Sequence, residues 1–301
     1  MKEWKKGVKL LTAFVWVGVF LVGTMYLAQE WNGQDLLRKT KAEEKSLTFS
    51  QTKAGTNEKI KLEKEDGKEV GTQISEQKTE EEEAKHAYLT FDDGPSDHTD
   101  EILDILKEKQ VKATFFVIGK TDEKSKARYQ RIVAEGHSLG MHSYTHDYSY
   151  IYGSLANYKE DLQKLQDYLY EVTGQRVKLY RFPGGSSNSV SKIPIQSCID
   201  YLDQKGIIYF DWNASSEDAV SIGTTCDKLN QNILKDALLY HNTVILMHDL
   251  HECTGTVQGL PALIDRLKKE GYQLDPITEK TVPVQHVKDQ SKKPVNGKQS
   301  D

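Results

Sequence analysis

The sequence predicts an α/β domain folded as a (β/α) barrel, preceded by one membrane-spanning helix and a long polar linker. Three observations lead there. Short apolar runs alternate with amphipathic stretches over residues 86–287, the pattern of parallel strands joined by helical crossovers. Polar residues stand at or just past the ends of five of those runs. An uncharged run, residues 10–28, follows a lysine-rich start.

The start sets the expected topology. Residues 1–9 carry Lys2, Lys5, Lys6 and Lys9, and "LLTAFVWVGVFLVGTMYLA" follows without a charge. At ~1.5 Å per residue that run covers about 28 Å, close to the ~30 Å hydrocarbon core. A cleaved signal peptide fits less well, because Ala28 has bulky Tyr26 where a small residue is needed. The lysines place residues 1–9 in the cytoplasm and everything after the anchor outside it. Residues 29–85 are densely charged with no sustained apolar period, and such a composition reads as a flexible linker. Residues 288–301 read as a disordered tail. The net charge of −5 and the pI near 6.0 give no basic footprint for nucleic acid. No protein partner is implied. The low mean hydropathy, −0.62, belongs to the polar flanks. Three cysteines, Cys198, Cys226 and Cys253, leave one unpaired whatever the redox state, and a Cys198–Cys226 bridge stays open.

Within 86–287 the elements follow in order. "AYLTF" (87–91) is a strand, and Ile102, Leu103, Ile105 and Leu106 give 99–110 a helical face that Asp97 or Thr99 would cap. "KATFFVIG" (112–119) is a second strand before a helix over 122–136. "SLGMHS" leads to a long helix over 154–173, closed by Gly174. "VKLYRF" (177–182), "GIIYFDW" (206–212) and "TVILMH" (243–248) repeat the strand pattern. Helices near 192–205, 226–240 and 258–270 separate them, and "YQLDPI" (272–277) is the last strand. An open doubly wound sheet would also satisfy this alternation. A barrel explains why Asp92 and Asp93, His142, Arg181, Asp211 and His248 end their runs, since barrel strand ends meet at one face.

Those residue types suggest a chemistry. His142 and His146 are four apart, so a helical turn would bring both imidazoles to one side. Alone, that spacing is as well read as an exposed polar turn. Joined to Asp93 or Asp92 it becomes a two-histidine, one-carboxylate set for a divalent metal. Zinc leads on ligand type, and Co2+, Ni2+ or Mn2+ also suit nitrogen and oxygen ligands. A cation would offset the repulsion within "FDDG", which strand alternation also eases by pointing neighbours apart. The second carboxylate would then serve as a general base, with Arg181 holding it ionised. His248 would donate a proton, oriented by Asp211. Trp212 reads as a pocket wall or as core. His86, His98, His137, His241, His251 and His286 read as surface or hydrogen-bonding residues.

"TFDDGP", "HSYTH", "RFPGG", "DW" and "LMH" resemble, in order, the five motifs of the polysaccharide deacetylase family (NodB-homology, carbohydrate esterase family 4). The resemblance spans roughly 86–277. It implies a distorted (β/α)7-type barrel, a divalent metal, and hydrolytic removal of acetyl groups from a polysaccharide. Peptidoglycan N-acetylglucosamine is the favoured substrate, and an O-acetyl esterase on xylan or a non-catalytic wall-binding module are the alternatives. Carried over by motif, Asp92 resembles the base, and Asp93, His142 and His146 the metal ligands. Arg181 resembles the residue steering the base, His248 the acid and Asp211 its tuning partner. Trp212 and Leu246 resemble walls around the acetyl methyl. Two departures stand out. Gly184 occupies a position where the family often has an aromatic, although the backbone N–H that would face the oxyanion is retained. No second acid precedes Asp211, since Tyr209 and Phe210 stand there.

Overall fold

The computed structural model describes residues 84–288 apart from Ser221. The anchor expected over 10–28, nearly all of the 29–85 linker and the tail beyond 288 lie outside the described residues. Among the described residues, no helix is long and apolar enough to cross a membrane.

Eight strands form one sheet: β1 (Lys85–Asp92), β2 (Thr114–Ile118), β3 (Ser138–Ser143), β4 (Leu179–Tyr180), β5 (Ile208–Tyr209), β6 (Ala214–Ser215), β7 (Asn242–His248) and β8 (Tyr272–Leu274). The order is β5-β4-β3-β2-β1-β7-β6, and β8 pairs with β1. Every pairing is parallel. β7 pairs with β1 along its whole length, while β8 takes the first three residues of β1 and β2 the last three.

The two edge strands, β5 and β6, are joined by only four residues, 210–213. At most ~3.6 Å per residue, that link spans roughly 18 Å. A flat sheet of this width would hold its edges farther apart, so the sheet curls into an incomplete barrel, the form a (β/α)7 barrel takes. The open-sheet alternative is set aside on this ground.

Seven helices lie among the described residues: α1 (Thr99–Glu108), α2 (Glu123–Ala134), α3 (Tyr148–Ile151), α4 (Leu155–Thr173), α5 (Ile195–Gln204), α6 (Cys226–Ala237) and α7 (Thr254–Lys269). Their apolar faces follow the sequence period: Ile102, Leu103 and Leu106 on α1, and Leu162, Leu165 and Leu169 on α4, are buried in one core with Leu89, Phe91 and Phe115. α2 is capped by Asp122, which accepts from Ser125 N (3.0 Å). α4 is capped by Ser154 and closed by Gly174 in the left-handed conformation (φ 73°).

The α1 cap differs from expectation. Neither Asp97 nor Thr99 caps it, and His98 stands at the N-cap without a side-chain bond. Thr99 is committed elsewhere: its hydroxyl donates to buried Asp249 (2.6 Å) and accepts from Ser96 N (2.7 Å). The three cysteines are free, so no Cys198–Cys226 bridge forms. Burial pushes the Cys198 and Cys253 thiols up to about 12, which leaves both as inert packing groups.

Candidate metal and catalytic site

The curl carries the C-terminal ends of β1, β3, β4 and β7 to one mouth, and Asp92, His142, Arg181 and His248 arrive there with them. β1 ends at Asp92. Asp93 turns out of the strand with φ 71°, a left-handed backbone that aspartate tolerates better than most residues. Its N–H still donates to Phe116 O (3.2 Å). The adjacent carboxylates therefore diverge because the strand stops between them, and pleat alternation within a strand is not the cause.

Asp93 Oδ1 lies 3.4 Å from His142 Nε2 and 3.2 Å from His146 Nε2. It is buried and receives no hydrogen bond, an arrangement that costs free energy unless a cation occupies the gap. His142 Nδ1 is 2.8 Å from Arg181 O. A carbonyl only accepts, so Nδ1 carries the proton and Nε2 presents its lone pair. Burial pulls the His142 pKa down to about 3, with Asp93 opposing, and the ring is a neutral ligand. One ligand atom from each of Asp93, His142 and His146 falls within 4.8 Å of the others. A carboxylate and two imidazoles so placed fit a divalent cation.

The two histidines do not share a helix. His142 belongs to β3, and His146 follows in a turn at φ 51°, with the rings stacked 5.3 Å apart. Asp161 of α4 holds that turn. It accepts from Ser143 Oγ (2.8 Å), Tyr144 N (2.7 Å), Thr145 N (2.9 Å) and Thr145 Oγ1 (2.7 Å). Asp161→Ala strands two backbone N–H groups under the ligand-bearing turn. It is expected to weaken metal affinity by about 10–100-fold, as loss of such supporting contacts typically does, measured by competition against a chelator.

Arg181 is fully buried. It donates to Asp92 Oδ1 (2.9 Å), Thr90 Oγ1 (2.6 Å), Phe210 O (3.0 Å) and Asp211 O (3.0 Å), and its guanidinium lies 4.3 Å from the Phe116 ring centroid. Burial pushes the Asp92 pKa up, while the Arg181 and His248 charges pull against it. The result is a carboxylate fixed at one oxygen and basic enough to take a proton at the other. Removing one member of a buried pair leaves the other uncompensated. Arg181→Met is thus expected to cost about 3–5 kcal/mol of stability, read by denaturant unfolding.

Opposite Asp92, in register across the parallel β1–β7 pair, stands His248. Its Nδ1 lies 2.7 Å from Asp218 Oδ1, and Asp218 Oδ2 accepts from His248 N (2.9 Å) and Thr256 Oγ1 (2.6 Å). Burial alone would lower the His248 pKa. The Asp218 hydrogen bond and charge, with Asp92 and Asp93 adding, outweigh burial and hold it at about 9. The sequence reading named Asp211 as this partner, and the structure corrects it to Asp218. Asp211 is spent elsewhere: it accepts from Ser186 N (2.8 Å), Ser186 Oγ (2.5 Å) and His286 N (2.8 Å), tying the "RFPGG" turn to the C-terminal segment. That segment also runs alongside Asp211, whose N–H donates to Val284 O (2.7 Å). Asp218 follows β6, a strand of two residues without an apolar run, so only the "SED" after "DWNA" could have signalled it.

Leu246 lies two residues before His248 on β7 and is buried. Trp212 is half-buried, and its ring edge lies 3.0–3.2 Å from the place where a Gly185 Cβ would stand. Gly184 and Gly185 both have positive φ (74° and 79°), which only glycine adopts readily. In this turn Gly185 N–H donates to Phe182 O and Ser186 N–H to Asp211, leaving the Gly184 N–H outside both bonds. His286, read from sequence as a surface or hydrogen-bonding residue, has its Nε2 2.7 Å from Trp212 O and packs edge-on to that ring at 4.9 Å.

The family model for polysaccharide deacetylase matches residues 79–197. The YheN protein of Bacillus subtilis is 35% identical over 66% of this chain and 70% of its own length. A peptidoglycan-N-acetylglucosamine deacetylase of Bacillus cereus is 34% identical over 66% of this chain and 71% of its own. Among solved structures, the catalytic domain of a peptidoglycan N-acetylglucosamine deacetylase from Eubacterium rectale superposes with a TM-score of 0.64 at 33% identity, over 68% of this chain and 93% of that domain. Sequence and fold agree, and the chain belongs to the polysaccharide deacetylase family as a hydrolase that removes acyl groups from polysaccharide.

Proposed function

We propose that this chain removes N-acetyl groups from N-acetylglucosamine in a cell-wall polysaccharide, with peptidoglycan the favoured substrate, and that it does so with a divalent metal, zinc leading, outside the membrane that residues 10–28 anchor it to. The observation that carries the reading is the pairing of Asp92 with His248 across one strand gap, beside the Asp93–His142–His146 cradle. A base and an acid one strand apart are what amide hydrolysis needs, and binding alone needs neither.

When bound by Asp93, His142 and His146, a divalent cation would supply the positive charge that polarises the acyl oxygen and acidifies water. Asp92, steered at Oδ1 by Arg181, takes the proton of the attacking water at Oδ2. The Gly184 N–H donates to the oxygen that gains charge as the carbonyl becomes tetrahedral. His248, held through Nδ1 by Asp218, gives its Nε2 proton to the departing amine, which would leave poorly as an anion. Leu246 and Trp212 enclose the acetyl methyl and keep water away from it. A sugar amine and acetate result.

The test is acetate release by the full-length protein from N-acetylglucosamine oligomers and peptidoglycan, with acetylated xylan in parallel. Release from the first two supports this reading. Release from xylan alone favours the O-acetyl esterase. No release from any of them, with metal supplied, defeats both.

A further inference from the structure

Gly184 leaves one side of the mouth without a side chain of its own, and the structure fills that side from elsewhere. Tyr148, the first residue of α3, approaches the place where a Gly184 Cβ would stand, with Cε1 at 3.3 Å and the hydroxyl at 3.4 Å. The ring sits edge-on to the His146 imidazole, centroids 5.4 Å apart at 90°. Behind it lies the buried ring of Tyr152 (5.9 Å), whose hydroxyl is tied to Pro183 O (2.8 Å). Asp147 fixes the start of α3, accepting from Ser149 N and Tyr150 N. Tyr148 is therefore supported on two sides by rings and held at its backbone by a cap.

Its hydroxyl is a different matter. Tyr152 and Tyr129 spend theirs on backbone carbonyls, whereas no hydrogen bond forms at the Tyr148 hydroxyl among the described residues. The group lies at the half-buried mouth beside Gly184, close enough to Asp93 and Asp92 for both charges to act on it. A supported ring carrying an unengaged donor next to the reacting groups suits a pyranose, which offers C–H faces to an aromatic and hydroxyls to a donor.

We propose that Tyr148 is a substrate-contacting residue: its ring forms the wall that Gly184 lacks, and its hydroxyl donates to an oxygen of the sugar bearing the acyl group. The proposal rests on the reading that Asp92 and His248 flank that acyl group. It explains why glycine is compatible with a working pocket here. A larger residue at 184 would meet Tyr148 at van der Waals distance, on a backbone that L side chains rarely adopt.

The test compares wild type, Tyr148→Phe and Tyr148→Ala as full-length, metal-loaded proteins on an N-acetylglucosamine tetramer. Loss of one substrate hydrogen bond in Tyr148→Phe should raise KM roughly three- to tenfold and leave kcat within about twofold. Tyr148→Ala should lower kcat/KM further, by about 100-fold, as the wall goes with the donor. Metal content, measured by atomic emission, should equal wild type in both. Unchanged KM in Tyr148→Phe overturns the hydroxyl contact, and loss of metal in step with activity in Tyr148→Ala overturns the substrate role, since the ring would then serve His146. If wild type turns over only acetylated xylan, the N-acetyl reading fails and the same comparison is made on xylan, where the same outcomes decide.

Discussion

Asp92→Asn is expected to lose about 10³–10⁴ in kcat while binding metal as tightly as wild type, and Asp93→Asn to lose the metal first and the turnover with it. The two residues are neighbours of the same chemical type, so side-chain chemistry alone would make the substitutions equivalent. The environment separates them. Asp92 sits inside the strand with Oδ1 against Arg181 (2.9 Å), and Oδ2 stays 4.0 Å from His142 Nε2. An amide at 92 keeps the shape and can still accept from Arg181, but it cannot take a proton, and a positioned general base typically contributes 10²–10⁴-fold. Asp93 is turned out at φ 71° with Oδ1 between two imidazoles. An amide there removes the one carboxylate from a cradle whose other two ligands are imidazoles. Metal titration followed by acetate release distinguishes the cases. Equal metal loss in both variants, or activity surviving in Asp92→Asn, would refute the division of labour.

The second large effect is expected at Asp218, a residue far less conspicuous in the sequence. Asp218→Asn should lower kcat by about 10²–10³ at pH 8 and move the basic limb of its pH profile down by more than one unit. The sign follows from His248. Its folded pKa is raised to about 9, chiefly because the Asp218 hydrogen bond and charge outweigh the lowering effect of burial. The proton it must donate is therefore present at neutral pH and is lost as pH rises through about 9. Without Asp218, burial is unopposed by its largest counterweight, and the imidazole deprotonates at lower pH. An amide also presents donors where His248 N and Thr256 Oγ1 donate. The stability linkage has the same sign: the pair's contribution is complete below the ordinary histidine value near 6.5 and is lost as pH rises through about 9. Asp211→Asn, by contrast, should leave the basic limb in place, because Asp211 makes its bonds to Ser186 and His286. A shifted limb in Asp211→Asn and an unmoved one in Asp218→Asn would reverse the assignment.

The contrast between these two aspartates shows what could be read in the chain. Residues that end an apolar run were legible, because a strand long enough to show its pattern marks its own end. Asp92, His142, Arg181 and His248 all came from such runs and meet at one mouth. Asp218 follows β6, whose two residues, Ala214 and Ser215, carry no periodicity, and an acid after them resembles any loop acid. The C-terminal segment was invisible for a related reason. Val284 and Val287 pack against the core, but the segment is placed by backbone and polar contacts that residue pattern does not encode. The structure brings Asp93 and His146 together with His142, the grouping the motifs suggest. Their left-handed backbones were not foreseen, because a strand pleat and a helical turn each offered a simpler account of the same spacing.

The register of β1 against β7 has one more implication. Seven successive residues pair, from His86 with Asn242 to Asp92 with His248, and the last of these pairs holds the proposed base and acid. Side chains on a strand alternate faces, so a slip of one position would send either Asp92 to the wrong side with Leu89 and Phe91 turned out of the core, or His248 with Ile245 and Met247. The hydrophobic cost of that slip guards the chemistry without any contact dedicated to the purpose. A molecule that has completed its core has, by the same act, aligned Asp92 with His248. Preparations of this protein should accordingly show specific activity that tracks the folded fraction, with no pool of well-packed but misaligned molecules.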